Sequence, residues 1–199
     1  MKPYNPLEKE NLGKSVAESL LASTPFPLGD LAQFSGAGIY AIYYTGKFTP
    51  YARLASQGRP PTEASTPIYV GKAIPSGARK GVIDPEISLK GRKLFGRLNE
   101  HKRSIERATN LNIGDFFCRY LIVDDVWIPL GESLIIQKFR PLWNVVVEGF
   151  GNHDPGAGRV AGKLSSWDVL HPGRFDPKRF APPRNTEDDI LALVAEYWH

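Results

Sequence analysis

Apolar positions along the 199-residue chain fall into two kinds of run, short and continuous or long and periodic. GIYAIYY at 38–44, IYV at 68–70 and FFCRYLIV at 116–123 are short runs rich in β-branched and aromatic residues, and they predict strands. Residues 93–108 place Leu94, Leu98 and Ile105 near one face of a helix. Residues 132–139 predict an apolar helix that Pro141 stops, and Asn144, Val145, Val146 and Val147 form a short run of strand type. EDDILALVAEYW at 187–198 predicts a last helix.

Around these lie less regular stretches. In residues 1–36, Pro6 can open a helix carrying Leu7, Val16, Leu20 and Leu21, which TPFP at 24–27 ends. Residues 45–67 contain Gly, Pro, Ser and Thr throughout and read as a long excursion. From Gly149 the chain is again rich in Gly and Pro until Glu187, and no internal repeat is visible. The central order β-β-α-β-α predicts an α+β fold, a small and mainly antiparallel sheet flanked by helices. The expected organisation is an N-terminal arm (1–36), a core (37–148) with an insertion at 45–67, and a C-terminal extension (149–199) packed on the core.

Composition narrows the class. Cys118 is the only cysteine, which excludes an internal disulfide and a cysteine-based zinc site. No run approaches the ~18 apolar residues of a membrane span, and MKPYNPLEKE has no apolar signal-peptide segment, so a cytoplasmic protein is expected. The net charge is only +4, but residues 72–107 hold ten lysines and arginines against four acids. That local surplus predicts either a polyanion-facing surface or a solvated basic helix face.

The chemistry-bearing residues are few. Tyr40 and Tyr69 sit near the starts of two strands, and Arg97 and His101 are four apart on one helix face. Glu132 opens an otherwise apolar helix, and Asn144 follows its proline-terminated end. Singly, each has a plain reading: a satisfied core phenol, an exposed pair, a first-turn acid complementing the helix dipole, a turn residue.

Their order gives a sharper one. GIY at 38–40, YVGK at 69–72, GRLNEH at 96–101 and GESLIIQKFRPLWN at 131–144 together resemble the GIY-YIG nuclease superfamily. The long separation of the two tyrosine strands departs from the short hairpin usual there. GFGNHDPGAGR at 149–159 and SSWDVLHPGR at 165–174 further resemble the type II restriction endonucleases of that superfamily, which cut a G·C-rich palindrome; the same residues also suit tight turns. The likeness implies a bacterial endonuclease acting on double-stranded DNA, with CCGCGG as the site it favours. It implies catalytic roles for Tyr40, Tyr69, Arg97, His101, Glu132 and Asn144, with Glu132 holding one Mg²⁺. Lys72, Arg79, Lys80, Arg159 and Arg174 are the implied DNA contacts. A homodimer and a DNA methyltransferase encoded alongside are the implied partners.

The residue types suit phosphodiester hydrolysis. Arg97 is a permanent planar cation for phosphate oxygens, and a lone carboxylate suits one hydrated magnesium ion. A free tyrosine has a pKa near 10, so Tyr40 needs a proton acceptor, either His101 or Lys72. The Glu-x-Lys pattern of other restriction enzymes is absent, since Ser133 and Leu134 follow Glu132. Two other readings fit the same residues: a repair or structure-specific nuclease, and a catalytically silent DNA-binding module.

Overall fold

Every position of the run at 38–44 is buried, so the strand it forms needs cover on both faces. A computed structural model, which describes residues 8–74, 91–152 and 162–199, shows how that cover is built. The strands are β1 (Phe26–Pro27), β2 (Gly38–Tyr44), β3 (Tyr69–Ala73) and β4 (Phe116–Ile122). The helices are α1 (Lys9–Ala22), α2 (Ala52–Ala55), α3 (Lys93–Arg107), α4 (Ile128–Phe139), α5 (Leu142–Val145), α6 (Ser166–Leu170) and α7 (Glu187–Tyr197). The strands form one sheet in the order β1-β4-β2-β3, antiparallel at every pairing, and the fold is α+β with helices flanking the sheet.

Alternation along β2 sorts its side chains into two cores. Tyr40, Ile42 and Tyr44 pack with Leu94, Leu98 and Ile105 of α3 and with Trp143, Phe150 and Trp167. Ile39, Ala41 and Tyr43 pack on the other face with Ala17 and Leu20 of α1 and Ile128 and Ile135 of α4. The strand's three phenols fare differently. Tyr44 Oη accepts the Phe48 N–H at 2.7 Å. Tyr43 Oη makes no hydrogen bond among the described residues, and burial pushes its pKa up to about 12.

The structure moves several predicted boundaries. TPFP does more than end α1: Phe26 and Pro27 pair with Cys118 and Phe117, and a proline is tolerated there because β1 is an edge. Helix α4 begins at Ile128, four residues before Glu132, because Pro129 occupies the first turn, where a missing N–H costs nothing. Glu132 is therefore not a first-turn acid. The strand expected at 144–147 is instead helix α5 followed by a turn, with Asn144 and Val145 N–H both bonded to the Pro141 carbonyl. Local β propensity yields there to tertiary bonding. Pro6 lies outside the described residues.

Neither the arm nor the excursion is loose. Arg119 is 3% exposed and has no carboxylate partner among the described residues. Its guanidinium donates to the carbonyls of Leu21 and Ser23 at the end of α1, and to Pro61 of the excursion at 2.9 Å. The C-terminal carbonyls of a helix carry partial negative charge, which suits a buried cation.

Tyr51 of the excursion enters a second buried polar group. His171, fully buried, lies between Tyr51 Oη (2.6 Å) and Asn110 Oδ1 (2.9 Å), and Trp143 Nε1 donates to the same Tyr51 hydroxyl at 3.0 Å. Burial holds the His171 pKa down to about 3. The unfolded chain protonates this histidine near pH 6.5 and the folded one does not, so stability should fall as pH drops below ~6.5. Between pH 7.5 and 5 this one group should remove about 2 kcal/mol. Urea unfolding across that range measures the slope, with His171→Gln as the variant expected to flatten it. A flat wild-type profile would sink this account.

Candidate active site

Tyr40 lies opposite Gly71 on one side and Tyr120 on the other. A Cβ at Gly71 would stand 2.4 Å from Tyr40 Oη, so only glycine lets the phenol cross the edge strand. That is the physical content of the YVG triplet. The hydroxyl meets His101 Nε2 at 2.6 Å. His101 is 1% exposed because it falls within the stripe of Leu94, Leu98 and Ile105 that α3 turns to the sheet. Arg97 lies one turn earlier. It donates through Nη1 to Glu100 (2.7 Å) and through Nη2 to the Gly151 carbonyl (2.5 Å), and its charge acts on both Tyr40 and Tyr69.

Tyr69 shares Tyr40's side of β3, its ring 5.2 Å from that of His101. Lys72 takes the opposite parity, toward α4, where its Nζ lies 2.5 Å from Glu132 Oε2. The Glu132 charge is still felt at both phenols, among the lesser influences that raise the pKa values of Tyr40 and Tyr69. The site is thus assembled at the margin where the two faces of the sheet meet.

Burial, and then the neighbouring Tyr69, hold the Tyr40 pKa well above its ordinary value of 10, and Arg97 only partly opposes them. Tyr69 is raised for the same first reason. Tyr40 is therefore a neutral phenol at pH 7. With such a phenol as donor, His101 Nε2 is the acceptor and the imidazole proton lies on Nδ1; the other tautomer would reverse the bond.

Glu132 is the acid of the site. No group of three or more His, Cys, Asp or Glu among the described residues could cage an ion. A lone carboxylate, 15% exposed, fits an ion that keeps most of its waters and borrows oxygens from a phosphate, as magnesium does. Glu132 is the residue able to hold it.

The other expected positions divide. Asn144 Oδ1 accepts the Val70 N–H (2.8 Å) and its Nδ2 donates to the Val70 carbonyl (2.9 Å), so it caps the edge strand that carries Tyr69. Arg174 needs correction. It is 7% exposed and donates to Asp168, Phe150 and Gly149, so it presents no guanidinium to a DNA groove. Lys72 is likewise engaged, with Glu132. Arg79, Lys80 and Arg159 lie outside the described residues.

Two neighbours of the site went unnoticed in the sequence. Phe150 stacks on His101 with ring centroids 4.4 Å apart, and Gly151 carries the carbonyl that holds Arg97. Both belong to GFGNHDPGAGR, whose glycines read as turn chemistry, so no signal in the chain separated them from a loop.

No curated protein matches this chain. The model of the Eco29kI GIY-YIG domain matches residues 32–198, far beyond the stretch that carries the motifs. With Tyr40 on β2 beside Tyr69 on the edge strand β3, the Arg97–His101 helix and Glu132 in this arrangement, the chain belongs to the Eco29kI GIY-YIG domain family, and it is a nuclease of the restriction-endonuclease type with DNA as its substrate.

Proposed function

We propose that the protein is a type II restriction endonuclease that hydrolyses both strands of duplex DNA at a short G·C-rich palindrome, CCGCGG being the sequence its likeness favours. The observation that carries the mechanism is the 2.6 Å bond between Tyr40 Oη and His101 Nε2. Ionising a free tyrosine at pH 7 costs roughly 4 kcal/mol, and burial raises that cost for Tyr40. A resting phenolate is therefore a poor base. A relay avoids it: Tyr40 Oη takes a proton from the attacking water as its own proton passes to His101 Nε2. The bond favours His101 over Lys72 as acceptor, since the Lys72 ammonium sits on Glu132.

Arg97 meets the non-bridging phosphate oxygens with a charge that cannot be titrated away. Tyr69 orients the phosphate beside it, and Asn144 keeps β3 in place. Glu132 would hold one magnesium ion, which would supply charge neutralisation for the phosphate and the leaving group.

A groove of about 220 Å³ runs from this site along α3, lined among others by Arg97, Glu100, His101, Arg103 and Arg107, with the internally bonded Arg174 in its wall. Arg103 and Arg107 have no ion-pair partner among the described residues. They give the flanking DNA backbone a basic track one helical turn long. One such site per chain cuts one strand, so a two-fold symmetric palindrome calls for a C2 homodimer.

Glu132→Ala should abolish plasmid cleavage in Mg²⁺ while leaving metal-independent DNA binding within a few fold, because the ion serves the transition state. Tyr40→Phe removes one hydroxyl and should do the same, at a stability cost of about 1–3 kcal/mol for the His101 nitrogen left without its partner. Full cleavage by either variant would refute its assigned role. These measurements need only a plasmid bearing the wild-type site and a gel-shift titration.

Arg103→Ala with Arg107→Ala should weaken binding to all duplexes alike and lower the slope of log K against log salt by about 2. An unchanged slope means that DNA takes another path. Assembly is read by sedimentation on the cognate duplex together with the cleavage time course. Dimers and early linear product are expected; a monomer that accumulates nicked circles first rules the dimer out.

A further inference from the structure

Residues 149–152 and 165–174 are bonded to each other and to the site. Arg174 donates through Nε and Nη2 to the two oxygens of Asp168, at 2.8 and 2.9 Å. It donates through Nη1 to the Phe150 carbonyl (2.9 Å) and through Nη2 to the Gly149 carbonyl (3.0 Å). Its guanidinium also lies 4.6 Å from the Trp167 ring centroid, and Asp168 accepts a further 2.5 Å bond from Ser165 Oγ. A buried ion pair satisfied in this way sets the height and tilt of the 149–151 turn.

The turn so held offers two groups to the residues of the reaction. The Phe150 ring, 1% exposed, covers one face of the His101 imidazole, 4.4 Å away and inclined by 21°, and meets Tyr69 edge-on at 5.0 Å. The Gly151 carbonyl receives Arg97 Nη2. No side chain can replace this glycine without displacement, since a Cβ would stand 2.5 Å from Tyr69 Oη and 3.5 Å from Arg97 Nη2.

We propose that Phe150 and Gly151 are positioning residues of the nuclease site, with the Asp168–Arg174 pair as their anchor. Gly151 fixes the Arg97 guanidinium, and Phe150 fixes the plane of the His101 ring so that Nε2 stays aimed at Tyr40. The inference rests on the reading of Tyr40, Arg97 and His101 as the reacting set. It gives the two C-terminal motifs a role inside the chemistry. Holding a guanidinium and an imidazole in place beforehand removes the ordering they would otherwise undergo at the transition state.

Gly151→Ala is the sharpest test. The backbone at 151 is not in the left-handed region, so alanine suits it, and the added methyl pushes on the Tyr69 hydroxyl beside the carbonyl that holds Arg97, while touching Arg97 Nη2 only at ordinary contact distance. Phe150→Leu keeps an apolar side chain but removes the flat face against His101. Both are compared with wild type and Tyr40→Phe by melting temperature, by duplex affinity without Mg²⁺, and by single-turnover cleavage of a cognate plasmid with enzyme in excess. The expected result is a cleavage rate reduced by about tenfold or more, with affinity within about twofold and, for Gly151→Ala, an unchanged melting temperature. Wild-type rates in both variants, with Tyr40→Phe inactive, overturn this inference alone. A rate loss matched by an equal loss of affinity also overturns it. A fully active Tyr40→Phe removes the reading beneath it as well. If Phe150→Leu does not fold, Gly151→Ala decides.

Discussion

A phenol with no exposed surface in the middle of a sheet must find a hydrogen-bond partner, and for Tyr40 that partner is His101. Much of the site follows from this one bond. It requires a glycine at 71, because any side chain there would occupy the space the phenol crosses. It requires a polar residue within the apolar stripe of α3, at the position that faces β2. It also places the working hydroxyl at the edge of the sheet, where Glu132 on the far face can still influence it. Leaving either partner unsatisfied costs about 1–3 kcal/mol, so fold and chemistry constrain the same two residues.

Burial then sets how the site can work. The environment that dries Tyr40 raises its pKa and makes a resting phenolate costly. A dry phenol bonded to an imidazole nitrogen instead suits the proposed relay of a proton. Arg97 opposes the rise for both tyrosines through its charge and through side-chain hydrogen bonding, and its 2.5 Å bond to the Gly151 carbonyl holds it beside them. Positive charge thus lies close enough to favour an incoming phosphate, while both phenols stay protonated.

The core of this architecture was legible in the sequence because its signals are periodic. The strands at 38–44 and 116–122 and the helix at 93–107 stand at the predicted places, since continuous apolar runs and a buried stripe survive any tertiary context. The ordered GIY, YVGK, Arg-x-x-x-His, Glu and Asn positions were visible for a different reason, their resemblance to the GIY-YIG superfamily. What failed depended on contacts made at a distance. The valines at 145–147 favour a strand, but Pro141 and the two bonds between Asn144 and Val70 impose a helical turn first. Arg174 read as a DNA contact because nothing in its local sequence reveals Asp168, Gly149 and Phe150 converging on it.

Arg119 and Arg174 together show why the segments flanking the motifs are not detachable. Each is a buried cation that ties an appended stretch to the sheet or its helices. Arg119 is balanced by carbonyls from α1 and from the excursion, Arg174 by Asp168 and two carbonyls of the 149–151 turn. Removing either set of acceptors leaves a charge in a low-dielectric interior, a loss of about 3–5 kcal/mol and comparable to much of a domain's net stability. An arginine in a basic sequence is easily assigned to nucleic acid, but burial decides otherwise for these two. The same reasoning favours Arg103 and Arg107 for the proposed DNA track, since they are exposed on α3 beside the site and have no ion-pair partner among the described residues. Cations that hold the fold are spent internally, and those left on the groove are the ones available to phosphate.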